Sequence, residues 1–558
     1  MQPATPPNTP LPSRRLTLWP WLIVALALLF AGGIRLRLLH VPLERDEGEY
    51  AYLGQLLLQG IPPYELLYTM KLPGTGLMYL LGMAVFGQTT TGIHLTLLAA
   101  NSLTIIFVFL LGRRLAGPLA GALAAFAYAV MSISPAVVGL AAHATHFVVL
   151  FAVPATWLLL KATSEKRPWT LLASGVLFGL AFLMKQPGLC FGLFALAFLA
   201  WQTRRHHGVF SASFLRTLLI FGVGLTLPLI LTCFALAAAG DFSRFWFWTF
   251  SYARHYETTL TWQQGLHEHL LEHLRQNRDL SLASWLLALA GLLAGSQVRR
   301  LRSATNFLLG FWLFSFLGTA AGLYFRGHYF ILLLPAFAIL LGLAVVACRE
   351  LMPAKFLPDV LRSLPIIAYG LILSWMVFYY APLYFQWPVE QVGQQLYREN
   401  PFAEAVAAAS LIEQHSAPDA RVAVIGSEPE IYFYARRHSA TGYIYTYPLM
   451  ESQPYALVMQ HEMAHEIEAV RPEFLVRVPY PLSWLPQPGA SQFLTDWCTA
   501  YVTNFYDRVG TVGFAPGRGL VTSWGPDTTN TPALTGEYLT IFQRRPGADE
   551  RQKPPAVR

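Results

Sequence analysis

Long apolar runs separated by short polar segments fill the first 384 residues of the chain. Each run approaches the roughly 20 residues that an α-helix needs to cross a bilayer. The shorter apolar stretch 74–86 predicts an interfacial or re-entrant helix, although it could also be a span. The pattern therefore predicts eleven membrane helices, a number that could rise to thirteen. The eleven predicted spans are 18–34, 91–112, 119–139, 145–160, 169–184, 187–201, 217–239, 280–296, 304–324, 328–347 and 363–384.

After residue 384 the pattern changes to short apolar strands and amphipathic helices. This alternation predicts a small α/β domain over residues 385–545. Polar composition predicts disordered tails at 1–17 and 546–558. The predicted strands are 421–426, 473–478 and 537–543, and the predicted helices are 428–436 and 455–470.

Composition supports a membrane protein, because 54% of the 558 residues are hydrophobic and only 13% are charged. A water-soluble globule would carry about 25% charged residues. The net charge of +8 is spread over short arginine and lysine clusters at the ends of the predicted spans, which does not indicate a nucleic-acid partner. Those clusters predict a cytoplasmic N-terminus. Loops 35–90 and 240–279 and the α/β domain then lie outside.

The first outer loop carries the densest group of charges in an apolar context. Asp46 is predicted at the N-cap of a helix, with Glu47 in its first turn, and these positions alone would satisfy a capping role. Carboxylates beside an apolar surface also suit general-base chemistry, since burial raises a carboxyl pKa. Lys71 could neutralise a lipid phosphate, or simply extend its amine to the membrane interface.

Several segments together resemble a known family. They are Asp46-Glu47-Gly48-Glu49-Tyr50-Ala51, then Gly60, Lys71-Leu72-Pro73-Gly74 and Gly87, followed later by Leu183-Met184-Lys185-Gln186-Pro187-Gly188, His328-Tyr329-Phe330 and Leu334-Pro335. Over most of residues 18–384 the chain resembles GT-C glycosyltransferases of family 39, the dolichyl-phosphate-mannose protein mannosyltransferase type that includes bacterial aminoarabinose transferases. The resemblance implies a polytopic α-helical GT-C fold with an extracytoplasmic α/β domain, in a bacterial inner membrane.

The resemblance also implies a function and a site. A sugar on a polyprenyl phosphate would be transferred, with inversion, to a lipid, glycan or protein acceptor. Asp46 would be the base or would orient the acceptor, with Glu47 supporting it. The donor phosphate would face Lys71 and Lys185.

Two further groups of residues are candidates for the same site. By the resemblance, Arg326 and His328 would line the donor site, although either could be an interface anchor. Arg254, His255 and Tyr256 could reach a phosphate or acceptor, or be solvated loop residues. Relatives often carry an acidic or metal-competent residue where this chain has Met70, so a divalent metal stays an open question.

Histidine-rich segments suggest other chemistry. His461-Glu462-Met463-Ala464-His465 has the spacing of a zinc-protease helix, but the predicted apolar face points away from both histidines. The segment from His267 to His273 predicts a helix lying on the membrane. His143 and His146, at an outer turn, could bind a metal or form a satisfied interfacial pair.

Two other functions remain open on the sequence alone. A flippase or transporter of lipid-linked sugar would have the same spans, but the predicted spans contain almost no ionisable residues of the kind that ion-coupled transport uses. A membrane-anchored sensor or binding protein would instead use the α/β domain as its working part.

Overall fold

The apolar runs form a helix bundle in the computed structural model, which describes residues 18–207, 211–257, 260–276, 282–352, 358–525 and 533–547. Within these ranges, six helices are long and apolar enough to cross a membrane: Trp19–Arg37, Thr90–Ala116, Ala144–Glu165, Ala212–Ala239, Arg302–Ala320 and Leu334–Leu351. The other predicted spans correspond to Pro118–Met131, Pro168–Met184, Leu189–His207, Leu282–Gln297 and Leu364–Tyr379. The tail 1–17 lies outside the described residues, as does 548–558 of the second tail.

Several helices end earlier than the apolar pattern predicts. The helices predicted at 119–139, 304–324 and 363–384 end at Met131, Ala320 and Tyr379. Apolar residues continue beyond these points, but they belong to loops and short turns that pack against neighbouring segments. Hydropathy does not distinguish an apolar loop buried in protein from a lipid-facing helix. The segment after Ala320 lines the candidate site through Ala321, Gly322 and Tyr324.

The first loop contains the helix Arg45–Leu58, here called the acidic helix, and the helix Gly74–Phe86. The prediction that Asp46 caps the acidic helix is wrong. Glu44 is the N-cap, and its carboxylate accepts from the Glu47 backbone N–H at 3.0 Å while Glu47 accepts from the Glu44 N–H at 3.1 Å. This capping box uses Glu44 and Glu47 to stabilise the helix start, which leaves Asp46 free for other contacts.

The acidic helix ends where the sequence places glycine. Gly60 has a φ of +78°, a left-handed conformation that glycine adopts without steric cost. The N–H groups of Gly60 and Ile61 bond to Leu57 and Leu56 carbonyls, as in a Schellman motif. The chain then turns back towards Lys71.

The second loop and the shorter connections form brief helical turns. Those of the second loop are Phe242–Trp246, Phe247–Tyr252, Ala253–Glu257, Trp262–Gln264, Gly265–Leu270 and Leu271–Gln276. Other short turns are Pro135–Val137, Gln186–Gly188, Gly327–Leu332, Asp359–Arg362 and Pro382–Gln386.

A six-stranded mixed sheet organises the α/β domain, in the order β2-β1-β3-β6-β4-β5. Strand β1 pairs in parallel with β2 and β3, whereas β6 is antiparallel to β3 and β4, and β4 is antiparallel to β5. The strands are β1 Arg421–Ile425, β2 His438–Ser439, β3 Phe474–Arg477, β4 Tyr506–Ala515, β5 Gly519–Trp524 and β6 Leu539–Arg544. Its helices are Val389–Tyr397, Phe402–His415, Glu430–Ala435, Tyr447–Met450, Ala456–Val470, Pro481–Trp484 and Phe493–Phe505.

The three predicted strands are confirmed as β1, β3 and β6, and both predicted helices are present. Strands β2, β4 and β5 were not predicted. Strand β2 has only two residues, glycines interrupt β4, and every position of β5 is exposed or half-buried. Such an edge pair shows little apolar alternation, which is the signal that strand prediction depends on.

The α/β domain packs directly on the acidic helix. Arg45 donates to the Ser427 carbonyl at 2.6 Å and pairs with Glu428 at 3.0 Å. A side chain at Gly48 would meet Glu430 at 2.6 Å, so the two backbones can approach this closely only with glycine here. The domain therefore forms one wall of the first loop.

Glu430 gives a stability prediction, because it is fully buried and no described residue hydrogen-bonds its carboxyl oxygens. Burial, and then Glu428, raise the pKa of Glu430 well above 4.5. The folded protein therefore holds a proton that the unfolded chain releases above pH 4.5, so stability falls as pH rises. Glu430→Gln should raise the thermal midpoint at pH 7.5 by about 2–4 °C and flatten its pH dependence.

The control for this prediction is Glu428→Gln, which removes the partner of Arg45 and should lower the midpoint. Thermal unfolding of the purified protein between pH 5 and 8 measures both. A lower midpoint for Glu430→Gln at pH 7.5 would contradict the prediction.

Candidate active site

A cleft lies at the loop end of the bundle, where the first loop, several helix ends and the α/β domain meet. Its empty volume is about 720 Å³. Five residues predicted from the sequence line it: Asp46, Lys71, Lys185, Arg326 and His328. They come from four well-separated segments of the chain. Met70, Tyr329 and Tyr447 are also among the residues that line the cleft.

Lys71 lies between two carboxylates of the acidic helix. Its Nζ is 2.7 Å from Asp46 Oδ1 and 2.5 Å from Glu49 Oε2. Asp46 and Glu49 stand at positions i and i+3 of the helix, so both face the same side of it. Glu49 also accepts from the hydroxyls of Thr69 at 2.5 Å and Tyr445 at 2.6 Å. The sequence analysis did not select Glu49, although this spacing could have identified it.

Glu47 does not line the cleft. It is fully buried, and its Oε1 accepts from the Ala142 N–H at 2.6 Å and lies 3.3 Å from His94 Nε2. Through the Ala142 contact it fixes the loop that follows Pro118–Met131. No direct contact joins Glu47 to Asp46 among the described residues, but both carboxylates act on His143, so a supporting role for Glu47 stays a prediction.

The pKa of Asp46 moves opposite to the expectation. Burial raises the pKa of Asp46, but Lys71, His143 and His328 outweigh it and hold the pKa well below 3.8. The expectation that burial would raise this pKa towards the working range is wrong, because the ion pair with Lys71 dominates. Asp46 is ionised at neutral pH, with 22% of its side chain exposed to the cleft.

Two more cations face the same space. Lys185 follows the helix Pro168–Met184, and its Nζ lies 4.2 Å from the centre of the Tyr329 ring. Arg326 is exposed at the start of the turn Gly327–Leu332. Together with Lys71 they place three positive groups around one cleft, an arrangement suited to a phosphate.

The pKa of Lys185 makes binding of an anion here pH-dependent. Burial lowers the pKa of Lys185 to about 7, with Asp46 opposing and Lys71 adding to the shift. Only the protonated amine attracts a phosphate, so affinity for a polyprenyl phosphate, the anion that the family resemblance implies, should fall between pH 7 and 9, by up to about tenfold per unit.

Lys185→Arg is the matched comparison, because an arginine keeps its charge throughout this range and should give a flat profile. Binding of a polyprenyl phosphate to the purified protein, measured at each pH, gives both curves. A wild-type affinity that is constant from pH 7 to 9 would contradict the prediction.

His143 and His328 stack with ring centres 4.0 Å apart beside Asp46. Their ligand atoms and one Asp46 oxygen lie within 4.8 Å of one another, so the three could hold a divalent cation. The other Asp46 oxygen is bound to Lys71, which places a positive charge against such an ion. The trio is thus both a candidate metal group and part of the ion-pair network around Asp46.

The remaining candidates lie elsewhere. Arg254 and His255 belong to the helix Ala253–Glu257 and are not among the residues lining the cleft. His255 packs on Tyr455 at 5.4 Å, and the side chain of Tyr256 lies outside the described residues. The ring of His273 stacks on Phe330 at 4.2 Å.

The helix with protease-like spacing is oriented as its apolar pattern predicts. Met459 and Met463 are buried, whereas His461 and His465 are exposed. The ring of His461 packs on Phe493 at 3.8 Å. His461 and His465 both line a broad groove on the surface of the α/β domain, together with Glu462 and Glu466. They do not face the cleft that contains Asp46 and Lys71.

Comparison with known proteins extends these observations. Residues 71–232 match the family model described as dolichyl-phosphate-mannose-protein mannosyltransferase. Over 184 residues the chain is 32% identical to an undecaprenyl phosphate-alpha-4-amino-4-deoxy-L-arabinose arabinosyl transferase of Pseudomonas paraeruginosa, and a Pseudomonas aeruginosa relative matches equally. These matches cover 31% of this chain and 32% of each relative.

Solved structures show the same architecture over nearly the whole chain. ArnT from Cupriavidus metallidurans, bound to undecaprenyl phosphate, is 15% identical, with a TM-score of 0.59 covering 94% of this chain and 98% of that one. Archaeal oligosaccharyltransferase AglB from Archaeoglobus fulgidus is 12% identical, with a TM-score of 0.52 covering 92% and 75%. The chain is therefore a membrane protein with the GT-C fold, similar in sequence over residues 71–232 to the dolichyl-phosphate-mannose protein mannosyltransferase family.

Proposed function

We propose that this chain transfers a sugar from a polyprenyl phosphate to an acceptor at the outer face of a bacterial inner membrane. The observation that carries the proposal is the cleft itself, which sets one ionised carboxylate beside three cations next to the ends of membrane helices. The relatives named above are undecaprenyl phosphate sugar transferases, and ArnT holds undecaprenyl phosphate.

The residues suggest a single displacement. The acceptor oxygen attacks the anomeric carbon while the bond from that carbon to the phosphate oxygen breaks, and the electron pair leaves with the phosphate. Lys71, Lys185 and Arg326 neutralise the charge that develops there. Asp46 orients the acceptor hydroxyl on the opposite face of the sugar and receives its proton as the new bond forms, which inverts the configuration.

The weak basicity of Asp46 suits this order of events. A carboxylate with a lowered pKa does not remove a hydroxyl proton in advance, but it can accept one once the oxygen has begun to bond. Its fixed negative charge also stabilises positive charge that builds on the sugar ring. Asp46 thus acts first as an orienting anion and afterwards as the proton acceptor.

Sidedness is part of the proposal. The arginine and lysine clusters favour a cytoplasmic N-terminus, which puts the cleft and the α/β domain on the outer side. A function confined to sensing fits poorly, because Tyr445 and Tyr447 of the α/β domain contact the cleft residues.

The test compares cells with and without this chain by mass spectrometry of their surface lipids, glycans and proteins. We expect one sugar to be absent from one acceptor class in the deletion strain and restored by the wild-type chain. Unchanged masses in all three fractions, with undecaprenyl phosphate sugar moving between leaflets of vesicles that hold the pure protein, would replace the transferase proposal with a flippase.

A further inference from the structure

A second cavity adjoins the cleft and shares Met70, Lys71 and Tyr447 with it. We call it the aromatic cleft, because its principal lining residues are Tyr68, Trp248, Tyr252, Tyr443, Tyr445 and Tyr447. Lys71 therefore separates a cationic compartment from an aromatic one. The mechanism above uses only the cationic compartment.

Three separate parts of the chain build the aromatic cleft. Tyr68 comes from the first loop, Trp248 from the second loop and Tyr443 from the α/β domain. The Tyr68 ring stacks on Trp248 at 5.3 Å and meets Tyr443 edge-on at 5.0 Å. The Tyr68 N–H donates to the Gly442 carbonyl at 2.7 Å, which fixes the loop to the domain. The cleft is a built surface whose rings are already held in place.

One group in this cleft lacks a partner. Tyr252 is 3% exposed, and its hydroxyl has no hydrogen-bond partner among the described residues. A buried unpaired hydroxyl costs free energy unless a ligand or water satisfies it. The Tyr252 hydroxyl is therefore available to a ligand that carries hydroxyl groups.

The mouth of the aromatic cleft carries no excess of fixed positive charge among the described residues. It opens into a broad groove that shares Tyr68, Trp248 and Tyr443 with it. Among the described residues lining that groove, the titratable side chains are Arg244, two carboxylates (Glu462 and Glu466) and two histidines (His461 and His465). Arg244 also pairs with Asp241 at 3.4 Å. The groove thus has no surplus of positive charge to attract a phosphorylated acceptor.

These features match a carbohydrate. Aromatic rings cover the apolar faces of sugar rings, while hydroxyl and carboxylate groups exchange hydrogen bonds with sugar hydroxyls. Glu462, already accepting from the Tyr443 hydroxyl, is exposed at the mouth and offers a further acceptor atom. A lipid phosphate acceptor would instead require cations along this path.

We propose that the aromatic cleft binds the acceptor, and that this acceptor is a saccharide which presents a hydroxyl across Lys71 to Asp46. The inference rests on the proposed function and narrows its acceptor class to glycans. It also gives the α/β domain a role in acceptor binding, through Tyr443 and Glu462.

The first test locates the attachment point. Mass spectrometry with fragmentation of surface material from cells with and without the chain should find the missing sugar joined to a hydroxyl of a polysaccharide or glycan. Attachment to a lipid phosphate or to protein would overturn the inference while leaving the transferase proposal intact. No missing sugar in any fraction would overturn both.

The second test places the saccharide in the aromatic cleft. Tyr252→Phe removes only the unpaired hydroxyl and should raise the KM for the glycan isolated from the deletion strain about tenfold. Trp248→Ala should raise it further. Tyr538→Phe, against Gly513 in the α/β domain, is the matched control and should leave the KM unchanged.

Measuring donor affinity as well distinguishes a specific loss of acceptor binding from a general disturbance of the fold. Affinity for undecaprenyl phosphate, measured on the same purified full-length variants, should stay within twofold of wild type for Tyr252→Phe. An equal loss of undecaprenyl phosphate affinity would assign the aromatic cleft to the donor and overturn the inference. An unchanged glycan KM for both cleft variants would overturn it as well.

Discussion

Replacing Lys71 with methionine should lower the rate of sugar transfer about 100- to 1,000-fold. This is the loss found when one preorganised charge-stabilising group is removed from an active site. Lys71 is held in the cleft by two carboxylates, since Asp46 and Glu49 both bind its amine. Burial lowers its pKa, but these two carboxylates raise it well above 10.5, so the amine stays charged. Transfer from a lipid-linked donor in vesicles measures the effect.

The difficulty with this variant is folding, because it leaves the fully buried Glu49 and the largely buried Asp46 beside each other without their cation. The double variant Lys71→Met with Glu49→Gln removes one of those charges and should recover stability without activity. Lys161→Met, which removes a lysine packed on Trp157, is the matched control and should transfer normally. A folded double variant with wild-type transfer would contradict the role of Lys71.

The members of the site could be predicted from the sequence only with the help of a family resemblance. Asp46, Lys71, Lys185, Arg326 and His328 lie in four segments far apart in the chain, and periodicity carries no information about which segments meet. The resemblance selected them, and the cleft contains all five. The spans were predicted by hydropathy, but their outer ends were not, because the loops there are apolar too.

Other features depended on local geometry that the sequence alone did not settle. The capping box decides that Glu47 faces Ala142 and His94 while Asp46 faces Lys71. The pKa of Asp46 is lowered because Asp46 contacts Lys71, although burial alone would raise it. Tyr445 could not have been identified, because its link to Glu49 needs the α/β domain to fold against the first loop.

Replacing Asp46 with asparagine tests the proposed role of this carboxylate in orienting the acceptor hydroxyl and receiving its proton. The amide keeps the shape of the carboxylate but cannot receive the acceptor proton, and it no longer contributes negative charge near the sugar. Transfer should fall by about 100- to 10,000-fold, the range over which a positioned acid–base group acts. Affinity for undecaprenyl phosphate should not weaken, since the variant removes an anion from beside the phosphate site.

This split between affinity and rate distinguishes a direct role from a structural one. Lys71 keeps Glu49 as its partner in the variant, so the protein should remain folded, with Asp507→Asn in the α/β domain as the matched control. Wild-type transfer also should not decline between pH 7 and pH 5 through Asp46, because its pKa lies well below that range. Full transfer by a folded Asp46→Asn protein would require a different residue to receive the acceptor proton. Weaker undecaprenyl phosphate binding, with transfer reduced in proportion, would make Asp46 a residue that only organises the cations.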